Sequence, residues 1–350
     1  MDNEDQIIGI KDVAKAANVA LATVDRVIHN RAGVSIKTKE KVLKVIEKMG
    51  YKPNIMASNL SKSKKTIIGV LIPDISESSG YWEFPLQGII KAQKELAQYR
   101  IKIKTFTFKQ DNSKEVRKKI LELINSDIQG LILTSKFADE IQILLQDCKE
   151  KERPCVFIDS NIRKMDALCS IQQPLYESGE LAAQLFNYCF DEGEILILHL
   201  KDTMDTEDII GLKENGINGY LQEKKSLITT RTLVITDFNE DTIDTVLTQT
   251  LKENPKIKGV FIPNSKVAHI ANYLEKRAGE KIYLIGYDFF KEDIEYLEKE
   301  IIDFLICQRP EEQGYQAVYK LFENLILKKA VENEIIMPLD ILTKKNYKYY

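Results

Sequence analysis

Near its start the chain spaces its apolar residues as helices do. Across IKDVAKAANVALATVDRVIHN, residues 10 to 30, Val13, Ala14, Ala17, Val24, Val27 and Ile28 recur at steps of three and four, predicting two short helices with a tight turn near Asn18, Val19 and Ala20. KTKEKVLKVIEKMGY repeats the period, with Val42, Val45, Ile46 and Met49 on one face, Ser35 placed to cap the start and Gly50 to end it. In KPNIMASNLSKSKKTIIG, Pro53 suits a helix start, and Ala57 and Leu60 stand one turn apart; a flexible basic linker fits the same residues. From residue 66 the pattern changes. TIIGVLIP, IKIKTFTF, GLILTS and CVFIDS form one set of short β-rich runs, and EILILHL, TLVITD, GVFIP and IYLIGYD a second. Near-continuous apolar strands separated by helices predict an α/β fold of parallel sheets covered on both faces, and two sets predict two lobes behind a small all-α domain.

Composition fits that division. A chain of 350 residues, 44% hydrophobic and 29% charged, can bury a large core in more than one domain. Charge adds a polarity: residues 1 to 65 hold 13 Lys or Arg against 7 Asp or Glu, so a net of −3 leaves −9 for the remainder. A basic small domain on an acidic body points to a polyanion partner for the N-terminus alone. The acidic opening MDNEDQIIG lacks the basic and apolar regions of a secretory signal, and no apolar run approaches the roughly 18 residues of a membrane span, so no membrane partner is expected. Cys148, Cys155, Cys169, Cys189 and Cys307 are odd in number and widely spaced, which suits reduced thiols in the cytoplasm. His29, His199 and His269 stand in no CxxC or HExxH context, and Walker, GxSxG and paired-carboxylate motifs are missing, so an enzyme is not expected and no cofactor is called for. His199 at a strand end reads as a structural histidine or a ligand contact.

IKDVAKAANVALATVDRV followed by VSIKTKEKVLKVIEKMGYKPN resembles the helix-turn-helix headpiece of the LacI/GalR family of transcription regulators, and the likeness runs through residues 8 to 350. The resemblance implies a headpiece over 1–52, a hinge helix and linker over 53–65, and an effector-binding domain over 66–350. It puts Leu21, Ala22 and Arg26 at base-reading positions, and Thr23, Asp25, His29 and Asn30 where relatives touch the DNA backbone. Arg26 could take guanine edges bidentately, while Leu21 and Ala22 offer apolar contact to a thymine methyl. Ala20 and Asp25 replace residues that are commonly serine in the family, and an aspartate at 25 would repel phosphate unless a basic neighbour pairs with it. At the hinge, Ala57 and Leu60 would enter the minor groove beside the same residues of a second chain, with Lys62, Lys64 and Lys65 near phosphate, so a homodimer on palindromic double-stranded operator DNA is implied.

For the larger domain the resemblance is to the type 1 periplasmic-binding-protein fold. It implies an N-lobe of about 66–173 and 308–334, a C-lobe of about 174–307 and 335–350, and a ligand cleft outside the carboxyl ends of the strands. Effector positions fall on Tyr81 and Trp82 after the first strand, with Phe84 beside them as a packing residue or a contact, and on Thr134 after the third. Gln172 or Gln173 stands in for a usual aspartate that has become Pro174. Lys213 replaces an arginine, Ser265 follows Asn264 where the family has aspartate, and Asp288 and Gln308 complete the set. The expected effector is a small sugar-like molecule, and with carboxylates and Arg reduced the residues argue for a conventional hexose less strongly than the fold does. The implied function is that of a repressor whose operator affinity the effector controls; a solute receptor without a regulatory role is the other reading of the same sensor fold.

Overall fold

The computed structural model describes residues 10–28, 33–49, 65–75, 80–109, 112–134, 138–159, 167–200, 207–237 and 239–350. The chain divides into two compact units, residues 1–64 and 65–350. In the first, α1 (Ile10–Ala17), α2 (Leu21–Ile28) and α3 (Ile36–Lys48) enclose Val13, Ala14, Ala17, Val24, Val27 and Val42, all buried. Asn18 adopts φ 48°, and its neighbour Val19 donates to the Ala14 carbonyl, which closes α1 tightly enough for α2 to begin three residues later. An asparagine tolerates that left-handed turn better than most side chains. Ser35 caps α3, accepting from the Thr38 amide at 3.3 Å. The hinge residues, with Ala57, Leu60, Lys62 and Lys64, lie outside the described residues, as do His29 and Asn30.

The larger unit has two sheets. Its first lobe contains β1 (Thr66–Pro73), α4 (Glu83–Glu95), β2 (Ile101–Phe108), α5 (Ser113–Ile124), β3 (Gly130–Leu133), α6 (Ala138–Glu150), β4 (Cys155–Ile158) and β5 (Cys169–Gln172). The second lobe follows with α7 (Leu175–Cys189), β6 (Glu192–Leu200), α8 (Glu207–Glu223), β7 (Leu227–Ile235), α9 (Glu240–Glu253), β8 (Ile257–Phe261), α10 (Val267–Lys276), β9 (Tyr283–Tyr287), α11 (Asp293–Glu298) and β10 (Phe304–Cys307). Then α12 (Pro310–Leu325) and β11 (Glu334–Ile336) rejoin the first lobe, and β12 (Asp340–Leu342) the second. Strand orders are β11-β5-β4-β3-β1-β2 and β12-β10-β9-β8-β6-β7, every pair parallel except β10 with β12. The chain thus crosses between lobes three times. The last crossing falls beyond 334, because β11 pairs with β5 and Met337 is buried in the first lobe's core.

Both faces of each sheet are covered, as the unbroken apolar runs require. Along β1, Ile68, Val70 and Ile72 join one cluster and Leu71 the opposite one; along β6, Leu196, Leu198 and Leu200 alternate with Ile195 and Ile197 in the same way. Each such residue contributes about 1.5–3 kcal/mol by leaving water. One close helix pair flanks the crossings in each lobe. A Cβ on Gly88 of α4 would sit 1.8 Å from the Glu311 carbonyl oxygen of α12, and one on Gly179 of α7 would sit 1.9 Å from the Lys213 carbonyl of α8. Only glycine lets the backbones approach so closely. These contacts set the starts of α4 and α12, and the residue Lys213 on α8, against the junction of the lobes.

Candidate ligand-binding site

At the carboxyl ends of the strands, three non-glycine residues adopt left-handed backbone: Asp159 after β4 (φ 48°), Asp288 after β9 (φ 62°) and Arg309 after β10 (φ 53°). Strain of this kind persists where surrounding structure holds it, and it gathers at functional sites. A connected polar network surrounds them. Gln308 Nε2 donates to Asp288 Oδ1 at 3.0 Å, Gln313 Nε2 donates to the Gln308 carbonyl at 3.2 Å, and Gln313 Oε1 accepts from the Asp159 amide at 3.0 Å. On the other side Gln173 Nε2 reaches Asp159 Oδ1 at 3.4 Å, and the Tyr287 hydroxyl donates to Gln173 Oε1 at 2.8 Å. Lys213 Nζ lies 3.2 Å from the centroid of the Tyr287 ring and donates to the Pro263 carbonyl at 2.8 Å. The network therefore ties both lobes and two of the crossings together.

Its electrostatics follow from burial. Desolvation pushes the Asp288 carboxyl up to about 7, against the pull of Lys213 and Gln308, and Asp159 adds to the rise. Burial first, then the Asp159 and Asp288 carboxylates, hold the Tyr81 phenol well above its ordinary value, so it stays a donor at neutral pH. Asp293, which accepts from the Phe290 amide at 2.8 Å and fixes the turn after β9, is likewise raised to about 7, chiefly by burial. Acceptors on Asp288 and Asp159 face donors on Tyr81 and the glutamines, an arrangement that suits a neutral ligand rich in hydroxyls.

The expected residues divide. Asp288, Gln308, Gln173 and Lys213 meet in the network. Gln172 is buried but turns its side-chain amide to Glu334 of β11. Thr134 is buried, and its hydroxyl has no hydrogen-bond partner among the described residues. Asn264 donates to the Leu200 carbonyl at 3.0 Å, and Ser265 beside it is half-buried. His199 lies 3.5 Å from Glu214. Trp82 differs from expectation: it is 1% exposed, packs edge-on against Tyr81 with ring centroids 5.3 Å apart, and belongs to the first lobe's core. Tyr81 and Phe84 instead line a cavity of about 600 Å³ that Asp288 also borders. The loop position locates the aromatic run at the cleft, but the start of α4 at Glu83 sends the indole inward. Asp159 and Gln313 were not singled out from the sequence, although CVFIDS ends a strand in aspartate just as IYLIGYD does.

In the headpiece, Leu21, Ala22 and Arg26 are exposed on α2, Thr23 and Asp25 are half-buried, and Val24 and Val27 face the core. An outward face with one arginine and two short or apolar side chains is a surface a major groove can admit. Among the described residues no helix is long and apolar enough to cross a membrane.

Residues 9–54 match the family model of bacterial regulatory proteins, lacI family, and residues 68–329 that of a periplasmic binding protein domain. The chain is 25% identical over 285 residues to a catabolite control protein A of Priestia megaterium, spanning 80% of this chain and 82% of that protein. It is 26% identical over 284 residues to a ribose operon repressor of Halalkalibacterium halodurans, covering 80% of each. A solved structure described as a LacI transcriptional regulator from Bacteroides fragilis aligns with TM-score 0.71 and 26% identity over 82% of this chain and all of that one. A lac repressor structure shares the fold over 97% of this chain and 99% of its own, with TM-score 0.63 and 19% identity. A helix-turn-helix headpiece joined to a two-lobed binding domain defines a DNA-binding transcription regulator. The chain belongs to the lacI family of bacterial regulatory proteins.

Proposed function

We propose that the protein is a repressor that binds a palindromic operator as a homodimer and is controlled by a small sugar-related effector held between the lobes of its sensor domain, residues 66–350. The observation that carries this reading is the network of Asp159, Gln173, Lys213, Tyr287, Asp288 and Gln308, which joins both lobes through residues able to hydrogen-bond a hydroxylated ligand. Thr134, Tyr81, Asn264 and Ser265 would complete the contacts. A relative named as a ribose operon repressor supports a sugar-like effector. On the DNA, Leu21, Ala22 and Arg26 read base edges, Thr23, His29 and Asn30 hold phosphate, and Ala57 and Leu60 of the hinge enter the minor groove from both subunits, all in the cytoplasm and without a cofactor or a catalytic step. Ligand acts by favouring one arrangement of the lobes, and such coupling is typically about 1–3 kcal/mol, or roughly 5- to 150-fold in operator affinity. A thermal-shift screen against sugars, sugar acids, polyols and nucleosides tests it: a stabilising ligand is expected, and its stabilisation should disappear in Gln308→Ala. A ligand that stabilises the variant as well as the wild type would place the site elsewhere.

A further inference from the structure

The cavity beside Asp288 is larger than one sugar ring requires. A hexose has about twelve heavy atoms, each smaller than the ~30 Å³ that a water molecule occupies in the liquid, so one ring fills at most roughly 360 Å³. The space available is about 600 Å³. Its walls also differ from the polar network. Phe84 comes from the first lobe, Phe289 and Phe290 from the second, and Tyr349 and Tyr350 from the segment after β12. Phe84 and Phe290 meet edge-on with centroids 5.7 Å apart, and the Phe289 and Tyr350 rings are 6.1 Å apart. Flat rings of this kind stack on the C–H faces of pyranoses.

Charge narrows the ligand further. The cation on the wall, Arg309, donates through Nε and a terminal nitrogen to both oxygens of Asp340, at 2.6 and 2.8 Å, so its charge is offset by that carboxylate. The other ionisable carboxyls on the wall are Glu312, Glu311, which Lys91 pairs at 3.4 Å, and Asp288, so among the described residues no further cation faces the space. Such a chamber disfavours phosphate and carboxylate groups, whose desolvation it would not offset.

Building on the proposed sugar-binding role, we propose that the effector is an uncharged oligosaccharide of at least two rings. One ring is hydrogen-bonded by Asp288, Gln308 and their partners; the next lies in the chamber against Phe84 and Tyr350. Asp288, which borders both spaces, receives hydroxyls at the junction.

Calorimetry on the full chain with glucose, xylose, mannose and galactose and with their di- and trisaccharides tests this. At least one disaccharide or trisaccharide should bind tenfold or more tightly than its own monosaccharide, and its phosphorylated or uronic-acid counterpart more weakly. Phe84→Ala and Tyr350→Ala should each cut that length preference about tenfold, whereas Phe84→Tyr, which keeps a stacking ring, should retain most of it. A monosaccharide that binds as well as its oligomers, or a length preference untouched by both alanine variants, would overturn the chamber while leaving a sugar effector in place. If no saccharide of any length binds, the inference and the sugar reading beneath it both fall.

Discussion

Asp288 offers the sharpest test of the electrostatic reading, through the Asp288→Asn substitution. Its carboxyl is raised from an ordinary 3.8 to about 7. Above pH 7 the folded protein holds an ionised, buried carboxylate, while the unfolded chain ionises at no cost. Below pH 7 the folded state takes up a proton that the unfolded chain does not bind until near pH 4, so stability due to this group grows as pH falls across that window and is lost as pH rises through 7. A shift of about three units corresponds to roughly 4 kcal/mol, an upper bound because water entry and relaxation soften buried electrostatics. Asn keeps an oxygen able to accept from Gln308 but carries no charge. At pH 8 the variant should therefore unfold at higher urea than the wild type, and the gap should close toward pH 5. Asp293 and Asp303, also raised by burial, are common to both proteins and cancel in the difference. Urea midpoints for both proteins from pH 5 to 8.5 supply the measurement. Parallel curves, with the same gap at every pH, would refute the argument and make Asp288 an ordinary ionised partner of Lys213.

Other predictions follow from packing and from the headpiece. Gly88→Ala would press a methyl into the Glu311 carbonyl and should cost about 1–3 kcal/mol or more by overpacking, read as a lower urea midpoint; an unchanged midpoint would mean that α4 and α12 separate freely. Trp82, the single tryptophan, should emit as a buried indole shielded from iodide, and Trp82→Ala should cost about 3–5 kcal/mol; emission typical of an exposed indole would contradict its place in the core. Arg26→Ala should cost about 1–3 kcal/mol on the cognate operator and relax specificity there, measured by anisotropy on cognate and random duplexes, whereas equal losses on both would remove base reading from Arg26.

The architecture was legible because each sheet is buried on both faces. Runs such as TIIGVLIP and EILILHL have no polar side to confuse with a surface, and their grouping into two sets gave two lobes. The strand-end places of Asp288 and Gln308, where the resemblance implies effector contacts, were legible for the same reason, since both follow apolar runs directly. Side-chain direction was less accessible. All four residues of β5 are buried, so nothing in its pattern tells Gln172 from Gln173, and only the pairing with β11 turns Gln172 toward Glu334 and leaves Gln173 to the network. Trp82 and Phe84 are two positions apart at a helix start, where one residue of phase exchanges core for cavity. Gln313 reaches the network from the first turn of α12, through a helix register that a strand-end reading does not examine.

Under the proposed function cleft and headpiece share one free-energy coupling, and reciprocity measures it directly. Once a ligand is in hand, operator affinity is determined with and without saturating ligand, and ligand affinity with and without saturating operator, at one salt concentration. The two ratios should be equal and lie between roughly 5 and 150. A ligand that binds the sensor with the same affinity whether or not operator is present would contradict the account.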